Sequence, residues 1–177
     1  MHIKLKMNHK TKFTRMCIAE AILELMDKTE FDKIRVSAIV KRAGVARMSF
    51  YKHYTCPKDA LADYMKIIIS EYLEETESPD SQAVYMSYEH ILYSLKFYDR
   101  YRDFFLKLYK NGMYSLLIDS INSFMVENVS LVERLSRYEL YAYSGGLLNA
   151  FIQWEYGGKT DSAEDVASKI YELYCKE

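Results

Sequence analysis

The apolar positions of this chain fall at helical spacing almost from end to end, and the breaks in that spacing divide it into a series of helices. Phe13, Cys17, Ala21 and Leu25, with Ile18 and Ile22 alongside, form one stripe over about residues 11–28. Val36, Ile39, Val40 and Ala43 form a second, and its opposite face carries Lys41 and Arg42. Gly44 follows, a residue that can take the positive φ ending a helix, and small Ala43 lets another helix cross closely. A third, short helix is predicted from about Arg47 to His53. Val45, Phe50 and Tyr54 face inward there, leaving Arg47, Met48, Ser49, Tyr51, Lys52 and His53 outside. So many bases, hydroxyls and an aromatic on a short helix are poorly explained by folding alone and suit a helix lying in a DNA groove.

Pro57 fits the first turn of a further helix over residues 57–77, which Ser78-Pro79-Asp-Ser81 breaks. The pattern resumes over residues 82–98, 101–109 and 113–127, with breaks near Asp99-Arg100 and Asn111-Gly112. It then runs from Arg137 to Tyr156 and, after Gly157-Gly158, from Ser162 to Tyr174. The fold class is therefore all-α: a three-helix domain with a helix-turn-helix at residues 36–54, and a larger helical bundle. The division is placed at residues 1–56 and 57–177, with helix 57–77 connecting the two. Residues 1–9 show no periodic pattern and read as an arm whose Lys4 and Lys6, with Lys10 and Lys12 just beyond, could touch DNA.

Charge sharpens this division. Residues 1–60 hold 13 Lys and Arg against 6 Asp and Glu, whereas the remainder holds 11 against 19, so a whole-chain net charge of −1 conceals a basic front end. That front end suits a polyphosphate partner, and with the helix-turn-helix it points to double-stranded DNA. Aromatic content changes the picture of the second region. Among its many tyrosines and methionines, Tyr85, Tyr88, Phe97, Phe105, Tyr109 and Met113 are candidates to line a pocket for a small organic effector, although such residues serve more often as core. His90 stands alone on its helix and reads as structural.

Several chemistries are excluded. No Glu-x-x-His pair, nucleophile-base set, phosphate loop or Gly-x-Ser-x-Gly elbow is present, so no catalytic residue, metal or cofactor is expected. Cys17, Cys56 and Cys175 are too scattered for a disulfide framework or zinc site. No apolar run is long enough to span a membrane and no secretory signal is seen, so a cytoplasmic location is expected.

The front end resembles the tetracycline-repressor (TetR) family of bacterial regulators, whose signature ends in Tyr-x-His-Phe/Tyr followed by a Lys opening helix 4. Here Tyr51-Lys-His53-Tyr54 is followed by Lys58-Asp-Ala-Leu61, and Phe31-Asp-Lys-Ile-Arg-Val36 occupies the connection between helices 1 and 2. The likeness covers about residues 10–65. Ala46 departs from it by lacking the usual hydroxyl at the start of helix 3, a loss of about 1 kcal/mol of capping, and Val40 stands where Ala is commoner. Gly145-Gly-Leu-Leu148, Gln153-Trp-Glu155 and Gly157-Gly-Lys159 resemble the C-terminal domain of regulators from low-GC Gram-positive bacteria.

The resemblance implies a homodimeric DNA-binding transcriptional regulator. A repressor released from a palindromic operator by a small molecule comes first, and an activator or co-regulator governed by a protein partner second. It implies that Arg47, Met48 and Ser49 face bases, that Tyr51, His53 and Lys58 hold phosphates, and that Ser37 and Lys52 assist. It also implies dimerisation through the last two helices, for which Gly145, Gly146, Leu148, Phe151, Trp154, Val166, Ile170 and Leu173 are the candidates. The Gly145-Gly146 pair, costly inside a helix by about 1 kcal/mol each, fits a close helix contact.

Overall fold

The computed structural model of the protein describes residues 9–76, 85–129 and 135–174. The expected arm, apart from His9 which already belongs to the first helix, the break at 78–81 and Cys175 lie outside them. The helix expected over 82–98 starts only at Tyr88, because residues 85–87 form a turn that the Ser87 cap closes. The described residues form helices joined by short turns, with no strand among them. In chain order the helices are α1 (His9–Met26), α2 (Val36–Ala43), α3 (Arg47–Tyr51), α4 (Pro57–Thr76), α5 (Tyr88–Arg100), α6 (Arg102–Lys110), α7 (Tyr114–Asn128), α8 (Arg137–Tyr156) and α9 (Ala163–Tyr174), with one 3-10 turn at Phe31–Lys33. They make two compact units, one up to Ile67 and one from Ile68, so α4 belongs to both.

The first unit closes around Ile18 and Ile22 of α1, Ile39 of α2, Phe50 of α3 and Leu61 of α4, all completely buried. The α2–α3 corner follows from Gly44, whose φ of 65° ends α2 with its N–H on the Val40 carbonyl. Ala46 begins α3 without a side-chain cap, as its missing hydroxyl requires, and α3 has only five residues. A polar lock reinforces the apolar core. Arg15 of α1 donates from both Nε and Nη2 to the Asp63 carboxylate, and the Tyr54 hydroxyl donates to the same group at 2.7 Å. This half-buried pair keeps the Arg15 guanidinium pKa above its ordinary value.

In the second unit α9 packs on α5, α7 on α8, and α5 also touches α6 and α8. Local chemistry explains the boundaries. The Ser87 side chain accepts the His90 N–H to start α5. Ser136 and Glu139 form a reciprocal capping box at α8, and Ser162 with Asp165 does the same work before α9. The core between these helices is strongly aromatic, with Phe97, Phe104, Phe105 and Phe151 buried in edge-on contacts such as Phe105 against Phe151.

Candidate nucleic-acid interface and the second unit

Helix α3 directs an unusual set of side chains outward. Met48 is 78% exposed, a cost no soluble core explains, and Arg47, Tyr51, Lys52 and His53 are exposed beside it. Ser49 is half-buried, so its hydroxyl is less available than the sequence pattern implied. Ser37 is exposed in the first turn of α2 but does not cap it, since the N-cap is Arg35 and no side chain accepts there. Arg47 and Tyr51 lie one turn apart on one face. The guanidinium carbon is 5.5 Å from the Tyr51 ring centroid, and Nη2 donates to the Tyr51 hydroxyl at 3.4 Å. Phe50, inward and completely buried, anchors the helix and meets the Tyr51 ring edge-on at 5.4 Å.

Lys58 is exposed at the second residue of α4, beside an Asp59 that bonds back to the two residues before the helix. The Asp59 carboxylate accepts the Thr55 and Cys56 N–H groups at 2.9 and 3.0 Å and the Thr55 hydroxyl besides. Those bonds, the Thr55 hydroxyl first, hold the Asp59 carboxyl down at about 2. A phosphate here would meet the Lys58 ammonium. Sequence reading passed over Asp59 although an acidic residue at the third position of a helix is a capping signal. The Arg15–Asp63–Tyr54 lock gave no such warning, because its members lie far apart in the chain.

In the second unit the six candidate pocket residues are held by different neighbours. Phe97 and Phe105 are buried, the first against Tyr72 at 5.0 Å and the second against Tyr98 at 5.0 Å. Met113 is also buried, while Tyr88 meets Tyr171 and Tyr109 meets Tyr114 and Tyr156. Tyr85 lies against His90 at 4.4 Å, beside Met86 with its positive φ of 70°. An open groove of about 440 Å³ between α7 and α8 is lined by other residues, namely Asp119, Asn122, Ser123, Val126, Glu127 and Tyr141.

His90 is the centre of a buried polar chain. Its Nε2 is 2.7 Å from the Tyr72 hydroxyl and its Nδ1 is 2.7 Å from the Tyr143 hydroxyl. Ser94 donates to the His90 carbonyl at 2.8 Å, so its oxygen must accept from Tyr72 at 2.9 Å. Tyr72 then accepts from Nε2–H, and Nδ1 accepts from Tyr143, which fixes one tautomer of a neutral ring. Burial alone lowers the His90 pKa to about 4. A second polar knot ties α6 to the end of α8. The wholly buried Glu155 carboxylate accepts from Arg102 Nε at 3.0 Å, and its Oε1 faces Lys159 Nζ at 2.8 Å as a charge contact without regular hydrogen-bond geometry. Lys159 also pairs with Asp99 and lies over the Trp154 ring.

The residues expected at a dimer contact separate into two sets. Leu148 and Phe151 are completely buried and Ile170 nearly so, which makes them core of this chain. Gly145, Trp154 and Val166 are half-buried, while Gly146 and Leu173 are exposed. A Cβ on Gly146 would stand 3.2 Å from the Tyr174 hydroxyl of α9, so this glycine already makes room within the chain. Beyond a first turn with exposed Arg137 and Glu139, the exposed face of α8 runs through Tyr138, Tyr141, Ala142, Gly146, Asn149, Gln153 and Tyr156, none of them charged. Hydrophobic periodicity picked out the opposite, buried face.

A family model described as bacterial regulatory proteins, tetR family, matches residues 18–65. No curated protein matches the chain. Among solved structures, Lin0861 from Listeria innocua superposes with a TM-score of 0.82 at 14% identity, covering 98% of this chain and 95% of that one. The transcriptional regulator FadR from Bacillus subtilis, solved in complex with stearoyl-CoA, gives 0.56 at 16% identity over 89% and 96% of the two chains. The dihydroxyacetone kinase operon activator DhaS gives 0.54 at 19% identity over 90% and 93%. At these identities the structural likeness speaks for the all-α fold, while the matched residues 18–65 contain the whole α2–α3 corner with its outward Arg47, Met48 and Tyr51. Over residues 18–65, its helix-turn-helix domain, the chain is thus similar to the tetR family of bacterial regulatory proteins.

Proposed function

We propose that the chain is a homodimeric, cytoplasmic transcriptional repressor that occupies a palindromic operator and leaves it when a small molecule binds the second unit. The observation that carries this reading is the outward face of α3, where Arg47, Met48, Tyr51, Lys52 and His53 are exposed on a helix anchored by buried Phe50. Each recognition helix enters a major groove at half-sites roughly 34 Å apart. Arg47 pairs with a guanine, Met48 contacts a thymine methyl and Ser49 lies at the edge of the contact. Tyr51, His53 and Lys58 hold phosphates, with Ser37 and Lys52 assisting. Residues 1–56 form the reading domain and residues 57–177 the sensing and dimerising one, with α4 as the connection. The effector reading draws on the stearoyl-CoA held by the B. subtilis regulator and on the aromatic second unit, in which Tyr85, Tyr88, Phe97, Phe105, Tyr109 and Met113 are the proposed ligand contacts. A coupling of about 1–3 kcal/mol between ligand and DNA is sufficient for release.

Selection from random duplexes at fixed salt tests the reading. A palindrome should be enriched, Arg47→Ala should lose about 1–3 kcal/mol and relax one base position, and Lys58→Ala should weaken every sequence alike. An Arg47→Ala protein that loses equally on all sequences would remove the guanine contact. Activation is the second reading, favoured by the operon activator among the structural neighbours. A promoter reporter separates the two by the sign of its response.

Dimerisation is assigned to the uncharged face of α8 together with the exposed end of α9. Leu173, 68% exposed, is the cleanest position to probe, because Gly146 variants would also displace Tyr174. Leu173→Glu should give monomers in sedimentation velocity, and an unchanged coefficient would move the interface elsewhere.

A further inference from the structure

We propose that Tyr51 sets the base preference of the protein by positioning Arg47, in addition to touching the DNA backbone. This rests on the DNA-reading role of α3. A bare arginine on a five-residue helix samples many rotamers, and its fork discriminates a base only when it arrives in one orientation. Tyr51 supplies that orientation. It lies one turn along the same face, with the guanidinium 5.5 Å from its ring centroid and Nη2 donating to its hydroxyl at 3.4 Å. The ring is itself steadied by the edge of Phe50, which is completely buried. Order therefore passes from the core, through Phe50 and Tyr51, to the Arg47 head group.

The hydrogen-bond inventory of the phenol makes the two duties compatible. Arg47 uses a lone pair of the Tyr51 oxygen, so the O–H proton is left to donate to a phosphate oxygen. Arg47 in turn has five N–H donors and commits one to Tyr51, leaving the others for a guanine edge. Tyr51 is a positioning residue for readout, and its ring and hydroxyl divide the work: the ring carries the stack, the hydroxyl the backbone contact.

The test takes the sequence selected by the full-length wild-type protein and its single base-pair variants. Affinities are measured at one salt concentration for wild type, Arg47→Ala, Tyr51→Phe, Tyr51→Ala and the double Ala variant, with circular dichroism to verify folding. Wild type and Tyr51→Phe should discriminate about tenfold or more at one base pair, whereas Arg47→Ala and Tyr51→Ala should both fall to about twofold there. Tyr51→Phe should lose affinity equally on all sequences, and the double variant should discriminate no less than Arg47→Ala alone. Should Tyr51→Ala unfold, Tyr51→Leu, which keeps bulk without an aromatic face, takes its place in the comparison. A Tyr51→Ala or Tyr51→Leu protein that is weaker everywhere but retains the full preference overturns the proposal. A wild type without any sequence preference overturns it at its base, and is recognised because Arg47→Ala then alters no discrimination.

Discussion

Phe50→Ala is expected to leave the reading unit largely unfolded at room temperature and to abolish DNA binding without removing a DNA-facing group. The ring is completely buried and meets both Tyr51 and Tyr54 edge-on, at 5.4 and 5.6 Å. Truncating a buried Phe to Ala costs about 3–5 kcal/mol. A core of fewer than about 70 residues rarely supplies more than that in total. The Arg15–Asp63–Tyr54 lock cannot substitute, since Tyr54 rests on the ring being removed. Urea unfolding followed by circular dichroism checks the expectation, and Phe50→Leu should recover most of the loss by refilling the space. An unchanged midpoint for Phe50→Ala would mean that the core closes without this side chain.

Acidification is expected to destabilise the second unit through His90. Its folded pKa of about 4 lies below the ordinary 6.5, so the unfolded chain binds the proton more readily. The resulting stability is fully present above about pH 6.5 and is lost as the pH falls towards 4, an effect of about 3 kcal/mol at the lower limit and about 2 kcal/mol at pH 5. The bonding pattern gives the reason. A proton on Nδ1 would face the Tyr143 hydroxyl hydrogen now donated to it, so the charge would be buried and one bond reversed. Tyr72 and Tyr143 offer no compensating charge, because burial raises both phenols well above their usual range. The single tryptophan, Trp154, lies in this unit and reports its unfolding. The urea midpoint should fall between pH 7.5 and 5 for wild type and much less for His90→Gln. Equal falls in the two proteins would place the titration elsewhere.

The helices were legible because their signals are local. Arg137 to Tyr156 was read to the residue, since Ser136 and Glu139 cap one end and Gly157 closes the other. The outward face of α3 was legible as well, because exposed Met48 and Arg47 contradict any burial pattern. What escaped were relations between distant residues. Tyr72, His90 and Tyr143 come from three helices, and periodicity describes each helix singly. The α8 face shows the same limit differently. Leu148 and Phe151 dominate the apolar stripe and are consumed by the chain's own core, whereas the exposed face beyond the first turn is uncharged rather than hydrophobic. Ser49 was placed outward by its polarity, yet it is half-buried, since a five-residue helix has little surface to give.

The internal ion pairs of the reading unit bear on how ions in solution compete with DNA. Of the basic residues near the front end, Arg15 holds Asp63, Lys33 holds Glu30 and Arg42 holds Glu24. Asp59 meanwhile accepts the N–H groups of Thr55 and Cys56, just before α4. A phosphate arriving at any of these places would exchange one anionic partner for another, so fewer cations would leave the duplex than the Lys and Arg content implies. Composition therefore overstates the sensitivity of this head to ionic strength, and more of its hold on DNA falls to directed contacts such as the one proposed for Arg47.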